Sequence, residues 1–246
     1  MDAGAATMCN LYSQTTNAQA IIDFVKAWKA VRDRAGNQFP ISGIFPNYDA
    51  PVLRVVEDEL ELVMAKWGMP SPPFALQGKK SDIGVTNVRN TRSPHWRRWL
   101  GVESRCLVPV TSFAEPDQVS GSKINHWFAF NEARPLFFFA GVWTKTTRQV
   151  RVSGDPVSGD FYAFLTTEPN AEVGAVHDKA MPVILTTLDE CQAWMTLPWA
   201  QAQDLQRPLP DGALQVVATG TKRDGPGEAT QAEPGLPGGD VQGTLM

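Results

Sequence analysis

The residues of this sequence best suited to chemistry begin with a cysteine that directly follows a methionine near the N-terminus. Removal of the chain up to Met8 would leave Cys9 as the first residue, with a thiol and a free α-amine on adjacent carbons. In such a 1,2-aminothiol the amine condenses with an aldehyde, and the thiol then closes a ring onto the imine. The pair therefore predicts a nucleophile for aldehyde chemistry, provided that residues 1–7 are removed or never made.

Four polar residues stand out beside or within apolar, strand-like segments elsewhere: Asn87, Arg89, Glu115 and His177. Taken singly, each has a structural explanation, such as a turn cap or a satisfied buried histidine. Together with Cys9 they predict a site for aldehyde chemistry on a phosphate backbone. An abasic sugar is mostly a closed hemiacetal, and a carboxylic acid or imidazolium near its ring oxygen would open it by proton transfer.

A basic segment lies in an otherwise acidic chain. The whole sequence has a formal net charge of −4, yet residues 79–105 contain seven Lys or Arg and two acidic residues, a local net charge of +5. This asymmetry indicates an anionic partner held at one place, although a solvated surface face is the commoner explanation of such a cluster. The predicted contacts to single-stranded DNA are Arg89, Arg92, Arg97 and Arg98, with Trp67 stacking on a base. For most of the eight tryptophans, core packing is the better interpretation.

The elements that must position these residues are mostly short strands. Helical spacing predicts one amphipathic helix over 17–34, with Asn17 as its N-cap, and Thr187 to Glu190 resemble a capping box that opens a second helix. Gly, Pro, Asn and Asp separate the predicted strands, which cover 60–64, 83–88, 106–110, 127–130, 136–143 and 161–166. The predicted fold is α+β, a single domain over 8–220 with a β-barrel-like, mostly antiparallel core and a few flanking helices. Residues 221–246 are predicted to be a disordered tail.

The composition argues against several other classes of protein. The three cysteines are widely spaced, which fits neither a disulfide framework nor a zinc site, and Cys106 and Cys191 lie in apolar contexts that predict burial. We expect no metal and no cofactor. The N-terminus has no signal-peptide pattern, and no apolar run approaches the length of a membrane span. These features predict a monomeric cytoplasmic protein that does not bind membranes.

Five ordered blocks carry a resemblance to a known family. They are Met8-Cys-Asn-Leu-Tyr12, Trp67-Gly-Met-Pro70, Asn87-Val-Arg89, Cys106-Leu-Val-Pro109 with Phe113-Ala-Glu115, and His177 before Met181-Pro-Val-Ile-Leu185. In this order they resemble the SOS-response-associated peptidase (SRAP) family, whose members process abasic sites.

The resemblance implies a barrel-like core, a positively charged groove for single-stranded DNA, and a mature N-terminal Cys9 that forms a thiazolidine with the opened abasic sugar. It assigns orientation of the sugar or amine to Asn87, general acid–base catalysis to Glu115, and assistance in ring opening or reversal to His177. Arg89 is the implied phosphate contact. The family name further implies a peptidase (hydrolase) activity that exposes Cys9, with lyase-like activity at the lesion.

The sequence departs from the family at three places. Leu11 stands where many members have a DNA-contacting arginine, and His177 is separated from Met181 by one extra residue, which leaves the role of Lys179 open. The segment before Met8 is the third departure, since family members start at the methionine before the cysteine. The simplest explanation is a start codon assigned upstream of the true one.

Two other functions stay open from the residues alone. Cys9 and His177 are the ingredients of a thiol–imidazole pair, which is typical of cysteine peptidases acting on proteins, although the sequence signature around a papain-like nucleophile is missing. The basic segment with Trp96 and Trp99 also fits a non-covalent single-strand binder, whose affinity would fall as the salt concentration rises.

Overall fold

The apolar runs of the sequence form strands in the computed structural model, which describes residues 9–36 and 40–224. Both the predicted extension 1–7 and most of the predicted tail, 225–246, lie outside the described residues. The strands are β1 Leu11–Gln14, β2 Val31–Asp33, β3 Ile41–Ile44, β4 Asp49–Val56, β5 Glu59–Trp67, β6 Asn87–Val88, β7 Arg105–Val110, β8 Ser112–Pro116, β9 Asn125–Ala129, β10 Phe137–Arg148, β11 Val157–Thr167, β12 Met181–Pro182, β13 Ile184–Leu185 and β14 Gln215–Thr219.

The helices are short and flank the strands. They are α1 Ala18–Val25, α2 Pro94–Arg97, α3 Ala171–Gly174, α4 Leu188–Thr196 and α5 Trp199–Ala202, with 3₁₀ turns at Pro73–Leu76, Val102–Ser104 and Gln203–Leu205. In the described part of the chain, no helix is both long and apolar enough to cross a bilayer.

Five strands close a mixed barrel. They follow the order β11-β10-β7-β4-β5, with antiparallel neighbours, and a parallel pairing of β11 with β5 completes the ring. A second sheet has the order β14-β9-β8-β1-β3. The predicted fold class is thus confirmed: a single α+β domain with a barrel core, mostly antiparallel pairing and a few helices.

The barrel wall separates two apolar cores. Phe137 and Phe139 of β10 lie in the core shared with the second sheet, whereas Phe138 between them lies in the core under the helices. This alternation follows from the two-residue period of a strand. Because residues 137–142 of β10 are buried on both faces, that half of the strand is a continuous apolar run rather than an alternating one.

The predicted helix over 17–34 is wrong beyond its first half. Asn17 caps α1 as predicted, accepting a hydrogen bond from the Ala20 amide at 2.9 Å, but the helix ends at Val25. Val31 then begins β2, which pairs in parallel with β5 at Leu60. Pairing with the edge of a sheet overrides the helical spacing of these apolar residues.

Two further boundaries differ from the prediction. Of the predicted strand over 83–88, only Asn87 and Val88 form a strand, while Val85 makes an isolated antiparallel bridge to Met69 and Gly84, with a φ of 83°, interrupts the extended backbone. At α4, Thr187 caps the helix as predicted, but Glu190 accepts from the Thr186 amide at 2.7 Å instead of from the cap residue. The remaining predicted strands and the burial of Cys106 and Cys191 are confirmed.

Candidate functional site

Cys9 lies two residues before β1, a strand of the second sheet. The antiparallel register of β1 and β8 pairs Leu11 with Ala114, and this pairing brings Cys9 beside Glu115. Cys9 is buried, with 1% of its surface exposed, and its Sγ lies 3.8 Å from the Leu11 carbonyl oxygen. Burial raises the pKa of the Cys9 thiol well above its usual value, and the neighbouring Glu115 carboxyl raises it further. The thiol is therefore neutral at physiological pH.

Asn87 reaches the site from a different strand, β6. This strand pairs in parallel with β11 so that Asn87 is opposite Phe164. Its Nδ2 donates to the Cys9 carbonyl oxygen at 2.8 Å and to the Thr86 hydroxyl at 2.9 Å. The amide thereby fixes the backbone of the residue that carries the thiol.

Glu115 is a fully buried carboxyl near the end of β8. Burial raises its pKa well above the usual carboxyl value, against a smaller lowering by the Cys9 thiol. The carboxyl therefore keeps its proton to a higher pH than an exposed glutamate does. Such a group can donate a proton near neutral pH and take one back afterwards.

His177 follows α3, whose N-cap Asn170 accepts from the Val173 amide at 3.2 Å. The His177 amide donates to the Val173 carbonyl at 2.7 Å, which continues the turn and directs the ring inward. Its Nδ1 lies 3.0 Å from the Ala180 carbonyl oxygen and 3.9 Å from Oε2 of Glu115. A carbonyl only accepts, so Nδ1 carries the hydrogen in this contact.

The site is rich in buried acceptors. Oδ1 of Asn87 and both carboxyl oxygens of Glu115 have no hydrogen bond of ordinary geometry within the described residues, although the Cys9 thiol lies close enough to Glu115 to lower the pKa of its carboxyl. A buried acceptor without a donor costs free energy, and native proteins keep few of them. The arrangement is therefore complementary to a group that brings N–H or O–H donors.

An arginine-lined groove begins two residues beyond Asn87. It consists of two adjoining pockets of about 400 and 810 Å³ that share Thr91, Arg92 and Gln206. We call this surface the arginine groove; its further lining residues are Arg89, Asn90, Arg97, Leu100, Gly101, Thr166, Thr167, Glu168, Trp199, Gln203 and Asp204. Its three arginines suit an anionic ligand, and two acidic residues, Glu168 and Asp204, lie in the same lining.

The predicted DNA-contact residues divide between groove and core. Arg89, Arg92 and Arg97 line the arginine groove, with Arg89 placed 3.3 Å from Glu168. Arg98 is exposed but lies outside the lining, and its guanidinium stacks on Trp99 at 3.9 Å from the ring centroid. Trp67 is fully buried, and its indole N–H donates to the Thr86 carbonyl, so in this structure it packs in the core and offers no face to a base.

Gln206 is a groove residue that no sequence motif indicates. Its Nε2 donates to the Arg89 carbonyl at 2.9 Å and to the Thr166 carbonyl at 3.0 Å, while its Oε1 accepts from Thr91 at 3.1 Å. The side chain joins the Arg89 segment to β11 at the bottom of the groove. No pattern marks a single glutamine in a loop.

Within residues 9–36 and 40–224, no group of three or more His, Cys, Asp or Glu side chains is placed to hold a metal ion.

Fold and site together define an α+β barrel protein with a buried cysteine–carboxyl site beside an arginine-lined groove. The chain belongs to the SOS response associated peptidase (SRAP) family, whose family model matches residues 8–222. The resemblance seen in the five sequence blocks is thus confirmed.

Solved structures of proteins from bacteria share the fold. A protein from Bordetella bronchiseptica is 20% identical, with a TM-score of 0.62 over 84% of this chain and 97% of its own. A protein from Bacteroides thetaiotaomicron is 18% identical, with a TM-score of 0.62 over 84% and 90% of the two chains. A phage-related protein from Bordetella bronchiseptica gives 19% identity, a TM-score of 0.62, and 84% and 92% coverage. No curated protein matches the chain.

Proposed function

We propose that this protein is an abasic-site sensor of the DNA damage response that binds single-stranded DNA and forms a covalent thiazolidine through Cys9. In this proposal Cys9 is the first residue of the mature chain. The observation that carries the proposal is the convergence of Cys9, Asn87, Glu115 and His177, from four separate segments, in one buried site. Membership of a family named for the SOS response supports a DNA-processing role in that context.

The proposed reaction has two bond-forming steps. The α-amine of Cys9 attacks C1′ of the ring-opened sugar, and loss of one water molecule gives an imine. The thiol then adds to the imine carbon, a C–S bond forms, and the thiol proton ends on the ring nitrogen. A proton held by Glu115 opens the hemiacetal and later helps water to leave, which is the role that a raised carboxyl pKa suits.

The unpartnered acceptors support the same chemistry. In the mature protein the amine of Cys9 would bring new N–H donors into a site where Asn87 Oδ1 and the Glu115 oxygens have none. Hydroxyl groups of the opened sugar are a second source of donors. The amine and the sugar hydroxyls would each donate to acceptors that are otherwise unpaired. These hydrogen bonds would strengthen the binding of the sugar.

The DNA would run from the site into the arginine groove. Arg89, Arg92 and Arg97 would hold the phosphates that flank the lesion, and such contacts position a strand without reading its sequence. We propose accordingly that the protein acts as a monomer in the cytoplasm, on nucleoid DNA, with no preference for the bases around the lesion.

The decisive experiment incubates protein that begins at Cys9 with abasic single-stranded DNA and resolves the products on a denaturing gel. We expect a shifted band that Cys9→Ala abolishes and that intact DNA does not give. Cys9→Ser keeps the amine and removes the thiol, so it should give an adduct only after borohydride reduction of the imine. Folded protein beginning at Cys9 that gives no Cys9-dependent band would overturn the proposal.

A second measurement tests the requirement for a free amine. Protein that retains residues 1–8 should give no adduct, because its Cys9 nitrogen is part of a peptide bond. The intact mass of protein made in cells reports directly whether the chain begins at Met1, Met8 or Cys9. Persistence of residues 1–8 in cells, together with full cross-linking by that form, would contradict the thiazolidine.

A peptidase acting on other proteins is the second candidate, and the family name is what favours it. The buried neutral thiol argues against it, since peptidases of this kind use a thiolate with a lowered pKa. Peptidase chemistry limited to the bond before Cys9 is compatible with the main proposal. Turnover of peptide substrates by protein that fails to cross-link DNA would reverse this order. Salt-sensitive binding without any covalent species would instead favour the non-covalent binder.

A further inference from the structure

The last four described residues form an ordered segment that crosses the second sheet. We call residues 221–224 the C-terminal strap. The Thr221 carbonyl accepts from the indole of Trp127 at 3.0 Å, and the Asp224 amide donates to the Ser42 carbonyl at 2.7 Å. The strap thereby joins β9 to β3. This part of the predicted disordered tail is docked on the fold.

The strap ends in a buried carboxylate with several partners. Asp224 is 5% exposed and accepts from Arg134 in bidentate fashion, with Nε–Oδ2 and Nη2–Oδ1 distances of 2.7 and 2.8 Å. Its Oδ2 also accepts from the Ser112 hydroxyl at 2.5 Å. Charge-assisted hydrogen bonds of this geometry are among the stronger ones in proteins.

From Ser112 the hydrogen bonds continue into β1. The Ser112 hydroxyl lies 2.7 Å from that of Ser13, and Ser13 lies 3.1 Å from the hydroxyl of Thr111. All three side chains are fully buried, and Ser13 is the register partner of Ser112 in the β1–β8 pairing. A connected chain of polar groups therefore clamps the two strands to each other at this point.

These two strands carry the reacting groups. Glu115 lies three residues beyond Ser112 on β8, and Cys9 lies four residues before Ser13 on the β1 segment. At about 3.3 Å per residue the clamp is roughly 10 Å along the chain from Glu115 and roughly 13 Å from Cys9, too far to touch either side chain. It fixes the register that sets their separation.

We propose that Asp224 is a positioning residue for the reaction of Cys9, acting through Ser112 and Ser13 to hold β1 and β8 in the register that places the thiol beside Glu115. The inference rests on the proposed function for its consequence in DNA cross-linking. Its consequence for the geometry of Cys9 can be measured without DNA.

The first test compares Asp224→Asn with Glu132→Gln. Glu132 is an exposed carboxylate 3.8 Å from the same Arg134, with no bond to Ser112, so it is a matched control. In protein beginning at Cys9, we expect Asp224→Asn to slow the single-turnover cross-linking rate at saturating DNA by tenfold or more. The Kd for intact single-stranded DNA should stay within twofold, and Glu132→Gln should change neither quantity. An unchanged rate in Asp224→Asn, or an equal loss in Glu132→Gln, would overturn the inference.

The second test uses Ser112→Ala, which removes one hydroxyl from the clamp and leaves the Arg134–Asp224 pair in place. We expect a similar loss of rate, and no further loss when Ser112→Ala and Asp224→Asn are combined, because both act through one link. Additive losses would mean that the two residues act independently and would contradict the inference. Ser112→Ala also keeps the inference testable if Asp224→Asn does not fold.

The third test measures the alkylation rate of Cys9 in the full chain as a function of pH, with the modified peptide identified by mass spectrometry. If the clamp holds the thiol beside Glu115, Asp224→Asn should move the Cys9 profile to lower pH while Glu132→Gln leaves it unchanged. A profile that does not move in Asp224→Asn would overturn the positioning role. Movement of the profile in a protein that never cross-links DNA would leave the positioning role supported and the proposed function contradicted.

Discussion

Two buried carboxyls of this protein have opposite surroundings. Asp82 accepts from the amide and hydroxyl of Ser71 at 3.0 and 2.6 Å and from the Gly84 amide at 2.8 Å, and the Arg148 guanidinium lies 3.6 Å away. Neither oxygen of Glu115 has a hydrogen bond of ordinary geometry among the described residues, and the nearby Cys9 thiol lowers the carboxyl pKa by less than burial raises it. Although burial acts to raise the pKa of Asp82, these hydrogen bonds and the Arg148 charge lower it overall, whereas burial raises that of Glu115.

The difference separates a carboxyl that holds the structure together from one that is available for reaction. Asp82 and Arg148 join the segments around Gly68 and Gly84, where an added Cβ would lie 3.3 and 2.2 Å from guanidinium nitrogens. Every partner of Asp82 comes from the protein. At Glu115, a bound ligand could form the hydrogen bonds that the protein itself does not make, and these bonds would add to the free energy of binding.

The largest expected effect is on stability at Asp82. Asp82→Ala leaves the buried Arg148 without its counter-ion, and breaking such a pair costs about 3 kcal/mol or more of unfolding free energy. Urea denaturation at pH 7 measures the loss, with the exposed Asp155→Ala as control. If both variants unfold at the same urea concentration, Asp82 is not the structural carboxyl of the pair.

Next in size is the loss of rate at Glu115. Glu115→Gln removes a proton donor and no phosphate contact, so the single-turnover cross-linking rate should fall roughly 100-fold, with the Kd for single-stranded DNA largely unchanged. That factor corresponds to about 2.7 kcal/mol of activation free energy. Glu103→Gln, an exposed change of the same type, should be silent. Normal kinetics in Glu115→Gln would remove Glu115 from its assigned role.

The two carboxyls should also respond to pH with opposite signs. Glu115 binds its proton more tightly in the folded protein than in the unfolded chain. Its contribution to the stability of the fold is therefore fully present below the unfolded-state pKa and is lost as the pH rises through the folded-state pKa. The lowered pKa of Asp82 stabilises the fold above the unfolded pKa, and that contribution is lost as the pH falls towards the folded pKa.

Unfolding free energies between pH 3 and 8 test this contrast. In the wild type, Glu115 should make the unfolding free energy decline with rising pH by at most about 1.4 kcal/mol per pH unit, and Glu115→Gln should remove this decline. Asp82→Asn should reduce the loss of unfolding free energy at acid pH. Parallel curves for the wild type and Glu115→Gln would mean that the carboxyl is not desolvated in solution.

The smallest expected effect lies in the arginine groove. Arg89→Ala should weaken binding of intact single strands and lower the log–log salt slope by about 0.7, one phosphate contact. Arg151→Ala, an exposed arginine outside the groove, provides the control. An unchanged slope in Arg89→Ala would place the DNA elsewhere on the protein.

Much of this arrangement could be predicted from the sequence, because polar residues within apolar strands are rare enough to stand out. Asn87, Glu115 and His177 stand out on that ground, and in the structure they lie close to Cys9 or to one another. The barrel followed from short apolar runs separated by turn residues. The roles of these four residues stay predictions until the variants are measured.

What the sequence could not predict depends on tertiary pairing. The residues after Val25 keep helical spacing, yet Val31 joins a sheet edge formed by a strand some thirty positions later. The aromatic side chain of Trp67 suits a stacking surface as well as a core, and only the packing decides between them. Asp224 lies in a polar, glycine-rich stretch, and its burial depends on Arg134 and Ser112 from distant segments.

The buried, neutral thiol of Cys9 has a consequence for the lifetime of the protein. Peroxide and other oxidants attack thiolates that solvent can reach, and Cys9 is neither ionised nor exposed. If Cys9 forms the proposed cross-link, each protein molecule uses its sulfur once and must keep it reduced until it meets a lesion. The burial that opposes ionisation of the thiol would therefore also protect it from oxidation before the reaction.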